Sequence, residues 1–461
     1  LRGEPVSKFI IADGQFASPL CIQFIVTVIL LASQLDRVFL IVKMLVSVII
    51  LVVGLCVSTC SSEEVMRSVR QAVSGSYNPE RSLLQFMLDM HHAEQQIQGD
   101  LDNIMFSPIS IVNTLNLLLL GSQGETEQQL RTVLHYPDGL KQKLIHALFN
   151  DAVSRLLIPN RGVVMEMANG LFLDQTFQVD RDYLSTARAE YNASIETVNF
   201  KTDEPAARRR VNEFVSQKTK GRIPNMVTFP LTNAEMVIAN ALYFKGLWAM
   251  PFSPSLTFVD DFIVSNDITI KVRMMTNIRE LPYVEDQALG MTMVGLPYEG
   301  TPSHFGFFVI LPDAEGINGL KQLERSLTGE DLANLINRME IHTVSLNLPK
   351  MNLEGSIDLR RTLESLGVTD VFDGSRSNLR LMSPASGLHV DTALHRANIV
   401  VNEKGSELAA ATIATNTRVR VGKMMRVNRP FLFFIRDNYS GLPVFWARIV
   451  KPQDKEGPSA L

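Results

Sequence analysis

The 461-residue chain lacks cysteine over most of its length, because its three cysteines, Cys21, Cys56 and Cys60, all lie within the first 60 residues. The residues that follow can therefore form neither a disulfide framework nor a thiolate metal site. The chain also lacks a basic excess: its net charge is -4 at pH 7, whereas nucleic-acid-binding domains usually carry a positive balance. We therefore expect no thiolate-bound metal and no nucleic-acid partner.

Four catalytic motifs are also missing from the sequence. It contains no G-x-S-x-G elbow, no H-E-x-x-H helix, no G-x-x-x-x-G-K-[ST] loop and no G-x-G-x-x-G fingerprint. We predict a protein that is not an enzyme and that needs no cofactor. A secreted hydrolase is kept as a remote alternative, which turnover of ester substrates by the purified protein would reveal.

The histidines do not suggest a metal site. His91 and His92 are adjacent in a predicted helix, so their side chains point about 100° apart and do not form an i, i+4 ligand pair. We predict solvated or half-buried structural roles for both. His395 lies in an apolar strand, and we predict a core histidine with hydroxyl or amide partners.

The N-terminal region reads as a targeting sequence. The first methionine is Met44, and residues 44–61 have the apolar length and small-residue end of a signal peptide. We expect residues 1–43 to be an over-extended gene-model segment; the alternative is a membrane anchor with two apolar segments. Two N-x-[ST] sequons, at Asn192 and Asn438, fit a secreted, extracellular glycoprotein.

Residues 79–452 contain no internal repeat and no linker rich in Pro, Gly or Ser, so we predict one α+β domain followed by a tail at 453–461. The first third has helical periodicity, as in "NPERSLLQFMLDMHHAEQQI" and "SPISIVNTLNLLLLGSQGETEQQLRTVLHY". The rest is rich in strand-like runs, among them "VVMEMANGLFL", "EMVIANALYFKG", "FGFFVILP" and "TVSLNLPKMNL". "RPFLFFIRDNYSGLPVFWARIV" predicts a closing hairpin. We expect a monomer.

Six stretches, in order and spacing, resemble the serpin family of protease inhibitors and their non-inhibitory relatives. They are "NIMFSPISI", "VNEFVSQKTKGRIPNMV", "NALYFKGLWAMPF", "LNLPKMNLEG", "HRANIVVNEKG" and "RPFLFFIRD". The resemblance implies a helical bundle on three β-sheets. It also implies an exposed reactive-centre loop that can insert as an extra strand into a five-stranded sheet.

The resemblance also assigns residues to the region where that sheet opens. Four residues match a polar cluster beneath the opening point: Ser107, Ser110, Asn212 and His395. Three match the top of the sheet: Trp248, Lys350 and Glu403. The last two are expected to form an ion pair near the base of the loop.

The hinge of the reactive loop is the segment 403–412. By resemblance it comprises Glu403, Lys404, Gly405, Ser406, Glu407, Leu408, Ala409, Ala410, Ala411 and Thr412. Small side chains and the absence of proline from 403 to 429 suit a segment that slides between two strands and donates a backbone N–H at each step. A flexible surface linker is the alternative, although it would be expected to contain more Gly, Ser or Pro.

Leu408 is the exception within the hinge, because the family pattern has a small residue at this position in inhibitors. If Glu407 faces water, Leu408 faces the core after insertion. Overpacking costs about 1–3 kcal/mol, against roughly 10 kcal/mol gained from about a dozen new hydrogen bonds. Insertion stays favourable but is slowed, so the alternative to a suicide-type inhibitor is a non-inhibitory serpin acting as a substrate-like carrier or binding protein.

The resemblance places the reactive bond among Arg418, Val419 and Arg420. The family's usual spacing places it between Val419 and Arg420, which suits an elastase-like protease. A shift of one residue places an arginine before the bond, which suits the carboxylate-containing pocket of a trypsin-like serine protease. We prefer the trypsin-like partner.

A polyanion, such as a heparin-like glycosaminoglycan, is a weaker partner prediction. Lys141 and Lys143, with Arg131 and Arg155 nearby, form either an anion-binding site or a solvated helix face. The sequence from 408 to 436 is also basic and contains no acidic residue, so it would attract an acidic cleft or a polyanion; the alternative is a solvated strand edge.

Overall fold

The computed structural model describes residues 78–156, 162–300, 304–405 and 422–454. The described residues belong to one compact unit. The predicted signal peptide, the hinge from Ser406 to Thr412, and Arg418, Val419 and Arg420 lie outside them. No helix within these ranges combines the length and the apolar character needed to cross a membrane.

The described ranges contain nine α-helices. They are α1 (Pro79–Gln98), α2 (Pro108–Gly121), α3 (Gly124–Val133), α4 (Gln142–Leu156), α5 (Arg181–Tyr191), α6 (Glu204–Lys218), α7 (Gly316–Ser326), α8 (Gly329–Asn337) and α9 (Leu359–Ser365). Two short 3-10 helices cover Pro254–Leu256 and Asp370–Phe372.

The first helices begin where the sequence predicts. The Asn78 side chain accepts hydrogen bonds from the N–H groups of Glu80 and Arg81, and a proline follows Asn78 at the first helical position. The Ser107 hydroxyl caps α2 by accepting from Ser110 N at 3.2 Å, and again a proline follows. Both starts satisfy N–H groups that the helix itself leaves unpaired.

The strands in the described ranges form two sheets. The five-stranded sheet has the order β10 (Met351–Asp358), β11 (Thr392–Val401), β4 (Met236–Gly246), β2 (Val163–Asp174) and β3 (Ser194–Val198). The nine-stranded sheet has the order β1 (Ile104–Phe106), β14 (Pro443–Ile449), β13 (Phe431–Asp437), β8 (Phe305–Pro312), β7 (Met291–Pro297), β6 (Ile268–Asp286), β9 (Glu340–Pro349) and β12 (Lys423–Arg426), while β5 (Phe258–Ser265) pairs with β6.

The five-stranded sheet and the helices match the α+β architecture expected from the sequence. Where three sheets were expected, the described strands form two hydrogen-bonded networks. The reason is β6, which is 19 residues long and pairs with β5, β7 and β9 along its length. Its continuity joins two groups of strands into one network.

Both faces of the five-stranded sheet are buried along β4 and the second half of β2. Along β4, Ile238, Leu242 and Phe244 belong to the main hydrophobic core, while alternate residues pack into a second cluster with α6 on the opposite face. Phe214 of α6 meets Phe172 of β2 edge to face at 5.5 Å between ring centres. Burial on both sides explains why β2 and β4 read as nearly continuous apolar runs rather than as alternating patterns.

One predicted strand is divided between the two sheets. The run "TVSLNLPKMNL" continues from β9 into β10, but β9 belongs to the nine-stranded sheet and β10 to the five-stranded sheet. Lys350 lies between them, and its N–H donates to Arg273 O at 2.8 Å. An apolar run does not show by itself that the backbone changes its pairing partner at this point.

The closing hairpin is confirmed: β13 and β14 pair in antiparallel fashion around the Asn-Tyr-Ser-Gly turn. The Asp437 carboxylate accepts from Ser440 N at 2.7 Å, and Gly441 has a φ of 78°. Glycine adopts this backbone conformation without the strain that a side chain would add.

Candidate functional site

Polar side chains form a row across the middle of the five-stranded sheet. His395 of β11 is in register with Asn240 of β4, and Asn240 is in register with Asn169 of β2. The N-terminal turn of α2 packs against this row through Ser107 and Ser110. The strands β4 and β11 run parallel here, and we call the line along which they pair the β4–β11 seam.

Asn240 is the centre of the hydrogen-bond network in this row. Its Nδ2 group lies 2.9 Å from Ser110 O, 2.8 Å from Thr114 Oγ1 and 2.7 Å from Asn169 Oδ1. Its Oδ1 accepts from Ser110 Oγ at 3.0 Å and from His395 Nδ1. Asn240 is fully buried, so these bonds replace the water that its amide loses on folding.

The surroundings of His395 fix its charge and tautomer. Ser107 N–H donates to Nε2 at 2.9 Å, so Nε2 is an acceptor and the ring proton is on Nδ1, which donates to Asn240. Complete burial lowers the pKa of His395 to about 3. The predicted core histidine with amide partners is confirmed, and it is neutral at physiological pH.

Asn212 does not join this row. It lies on α6, where its side chain exchanges two hydrogen bonds with the backbone of Val227, at 2.9 Å to the carbonyl and 2.8 Å from the N–H. Because α6 lies on the face of the sheet opposite α2, Asn212 secures the chain segment that follows α6. Its expected grouping with Ser107, Ser110 and His395 is therefore corrected.

At the top of the sheet, Glu403 and Lys350 form the expected ion pair, with Nζ 3.0 Å from Oε2. Thr257 Oγ1 donates to the other carboxylate oxygen at 2.8 Å. Burial alone would raise the pKa of Glu403, but hydrogen bonds from its own N–H, Lys350 and Thr257 outweigh this effect and leave the pKa below its ordinary value. Glu403 is therefore a carboxylate at the margin of the core that stays ionised.

Trp248 also lies at this position. Its indole N–H donates to Asn402 O at 2.9 Å, and its backbone N–H donates to Lys404 O at 3.1 Å. The indole stacks on Tyr298 with ring centres 4.7 Å apart. Trp248 thus holds the backbone that follows β11 against the end of β4.

Gly405 completes a tight turn after β11. Gly405 and Asn402 exchange two backbone hydrogen bonds, at 2.9 and 3.2 Å, and Gly405 also forms an antiparallel bridge with Leu247. Its φ is 112°, and a Cβ here would lie 2.2 Å from Gly246 O. Gly405 therefore sits between the ends of β4 and β11, in a space that admits only glycine.

The family model described as "Serpin (serine protease inhibitor)" matches residues 81–452, which is most of the chain. The chain belongs to the serpin family. Leukocyte elastase inhibitor from Xenopus tropicalis is 33% identical over 357 residues, covering 76% of this chain and 93% of that protein. Human Serpin B11 is 33% identical, covering 76% and 94% of the two chains.

Solved serpin structures agree with this assignment. Uncleaved ovalbumin is 28% identical, with a TM-score of 0.75, over 82% of this chain and all of that one. Human thyroxine-binding globulin, solved with thyroxine, has a TM-score of 0.75 at 22% identity and covers 81% and 98% of the two chains; it supports the fold.

Sequence reasoning missed several members of the serpin's polar row. Asn240, Asn169 and Thr114 were not singled out, although the two asparagines interrupt strands that are otherwise apolar. A buried amide in a central strand needs partners, so this interruption was the available signal. Thr257, which bonds Glu403, carried no comparable signal.

The two adjacent histidines of α1 differ in burial. His91 is 1% exposed, with Nε2 3.2 Å from Glu324 Oε1, so the prediction of a solvated or half-buried side chain is wrong for this residue. It is right for His92, whose Nε2 lies 2.9 Å from Glu324 O. Glu324 of α7 and the ring of Trp446, whose centre lies 5.6 Å from that of the first ring, pack against His91. The described residues contain no group of three or more His, Cys, Asp or Glu side chains suited to a metal ion.

The predicted basic group on the first helices is partly neutralised. Arg131 pairs with Glu127 at 2.8 Å and Arg155 with Asp151 at 2.9 Å, each one helical turn away. Lys141 and Lys143 are exposed. Two local ion pairs among four basic residues favour the solvated helix face over the polyanion site.

Both sequons of the serpin lie on its surface. Asn192 ends α5 in a left-handed conformation with a φ of 46°, and Asn438 lies in the β13–β14 turn; both side chains are exposed. Their glycosylation remains a prediction.

Proposed function

We propose that this serpin is a secreted, suicide-type inhibitor of a serine protease and that residues 406–421 form its bait loop. The target serine would attack the loop, and insertion of the cleaved loop along the β4–β11 seam would carry the acylated protease away and distort its active site. The observation that carries the proposal is Gly405, which already bridges the ends of both strands.

The strand directions support insertion at this seam. Because β4 and β11 are parallel neighbours, a strand that turns back after β11 would run antiparallel to both of them. Insertion would then exchange one parallel ladder for two antiparallel ladders, and antiparallel pairing is slightly more stable per residue. The 11 residues of β4 are about as long as the insert that the hinge could supply.

Two classes of target protease remain as alternatives. An arginine before the bond would fit a trypsin-like protease, whereas Val419 would fit an elastase-like one, and a relative of the chain carries the name leukocyte elastase inhibitor. We favour the trypsin-like target because Arg418 and Arg420 flank the position.

Incubation with trypsin and with elastase, followed by denaturing electrophoresis and mass spectrometry, tests the proposal. We expect a covalent complex with trypsin and a new C-terminal peptide that begins directly after Arg418 or Arg420. Cleavage without any covalent complex from either protease would contradict inhibition and favour the non-inhibitory alternative.

Replacing Leu408 by alanine sharpens the same experiment. A smaller side chain at this position should raise the fraction of serpin found in complex, because each 1.4 kcal/mol removed from the insertion barrier speeds insertion about tenfold relative to hydrolysis. Ala410→Leu is the matched reverse change and should lower the fraction. Equal complex yields for all three chains would show that Leu408 is irrelevant.

Secretion is part of the proposal and has its own test. Expression of the full chain in a eukaryotic secretory host should release protein that begins after residue 61 and loses mass on glycosidase treatment. Retention of the whole product inside the cell would contradict it.

A further inference from the structure

Arg279 of β6 is a buried cation without an acidic partner. The residue is only 7% exposed, and no ion pair joins it to any acidic residue in the described part of the chain. Its Nη1 donates to Met250 O, and its guanidinium carbon lies 4.2 Å from the centre of the Phe252 ring. Burial lowers the pKa of Arg279 to about 10, so the group remains charged at neutral pH.

The unused atoms of Arg279 form a defined binding edge. Nε and Nη2 are both buried and have no hydrogen-bond partner within the described chain. These two nitrogens present parallel N–H groups on one side of the guanidinium, which is the fork that holds a carboxylate in bidentate fashion. One carbonyl and one aromatic face do not neutralise a desolvated charge, because a buried ion is normally compensated by a counter-ion and by hydrogen bonds.

One chain segment packs against the guanidinium of Arg279. Arg279 bonds to Met250 and stacks on Phe252, which belong to the segment between β4 and the Pro254–Leu256 helix. Met250 itself is 45% exposed, and Phe252 N–H is tied to Glu403 O at 2.7 Å.

We propose that Arg279 is a binding site for a small monovalent anion, a carboxylate or a halide, held on the Nε–Nη2 edge that its contacts with Met250 and Phe252 leave unused. A water molecule would satisfy one N–H group but would leave the charge uncompensated, whereas an anion does both. The proposal does not depend on whether the serpin inhibits a protease.

Thermal unfolding of the full chain tests the site in solution. Sodium acetate and sodium bromide are titrated separately, and the Arg279→Gln chain is titrated in parallel so that the general effect of ionic strength is subtracted. We expect a saturable rise in the unfolding temperature, about 3 °C at a hundredfold excess of anion over its dissociation constant. A larger response to acetate than to bromide identifies bidentate binding, and the reverse identifies a halide site.

Two variants and one control make the result specific. Arg279→Gln should abolish the rise, because it keeps a donor for Met250 O but removes the charge and the fork. Arg279→Lys keeps the positive charge but not the paired N–H groups. Its rise in unfolding temperature with acetate should therefore fall more than its rise with bromide. Arg325→Gln, at an exposed arginine in the last turn of α7, should respond like the unchanged chain. Equal responses of the unchanged chain and Arg279→Gln would overturn the proposal.

Crystals grown in sodium bromide give a direct measurement that needs no variant. We expect an anomalous peak within hydrogen-bond distance of Nε and Nη2. The absence of such a peak, together with a flat acetate titration, would also overturn the proposal.

Discussion

The β4–β11 seam is held differently at its middle and at its top. In the middle, Asn240 and His395 are completely buried and neutral, and they bond to each other and to the start of α2. At the top, the Lys350–Glu403 ion pair is partly exposed, with 12% of each side chain accessible, and a glycine turn closes the gap. The middle should therefore resist opening, because opening would leave buried polar groups without hydrogen-bond partners. At the top, water can replace the lost partners of Lys350 and Glu403.

This difference predicts that the seam opens from its top towards its middle. Breaking the ion pair exposes two charges that water solvates well, so it costs little. Breaking the polar row leaves buried amide and imidazole groups without partners, which costs about 1–3 kcal/mol for each group. A strand that enters the seam would start at Gly405 and would meet its largest barrier at Asn240.

The largest effect is expected for Asn240→Leu. The change leaves partners on α2, β2 and β11 unsatisfied, so we expect a loss of about 4 kcal/mol in the free energy of unfolding. Chemical denaturation measures this loss. Asn398→Ala is the matched control, because that β11 amide makes one hydrogen bond, 3.4 Å to Arg222 O. A loss for Asn240→Leu no larger than for Asn398→Ala would remove the contrast between middle and top.

Gly405→Ala should cost about 3 kcal/mol. The added Cβ meets the Gly246 carbonyl and must also adopt a φ of 112°, a conformation that strains other residues by about 1–3 kcal/mol. Gly367→Ala separates the two causes, because Gly367 has a φ of 91° but open space around its Cβ position. If both variants unfold at the same denaturant concentration, the close contact with Gly246 contributes nothing.

Acid should weaken the middle of the seam through His395. Its folded pKa of about 3 is below the unfolded value near 6.5, so the unfolded chain binds the proton more readily and stability falls as pH drops from 6.5 towards 3. Relative to His395→Gln, the unchanged chain should lose about 2 kcal/mol between pH 6.5 and pH 5. Denaturation at both pH values measures the difference, and parallel pH profiles would refute it.

The smallest effect is expected for Glu403→Gln, about 1 kcal/mol at pH 7. Because the folded pKa of Glu403 is lowered, the contribution of the ion pair is present above the ordinary pKa of glutamate and is lost as pH falls through the lower folded value. Glu364→Gln, which breaks an exposed pair within α9, should cost about 0.5 kcal/mol or less. A loss at Glu403 above that of Asn240→Leu would reverse the assigned direction of opening.

The sequence predicts the fold well because its strands are apolar on both faces and its first helices have clear caps. It also leads to His395 and to the Lys350–Glu403 pair, although through family resemblance rather than through local pattern. The resemblance misassigns Asn212, because a motif match does not show which face of the sheet an amide meets; the amide in the polar row is that of Asn240.

Residues 278 and 279 show where local reasoning fails. Hydrophobicity would place Ile278 inside and Arg279 outside, yet Ile278 is 44% exposed and Arg279 is 7% exposed. The pairing of β6 with β9 fixes the register, and strand alternation then decides which side chain is buried. Only tertiary pairing carries this information.

The division of the 340–358 run between two sheets has a mechanical consequence. Its first half, β9, pairs with β12, where the described chain resumes after residue 421; its second half, β10, pairs with β11, which leads into the hinge. One continuous backbone therefore supports both points at which the 406–421 segment joins the domain. Lys350 is therefore the covalent link between the strand that pairs with β11 and the strand that pairs with β12.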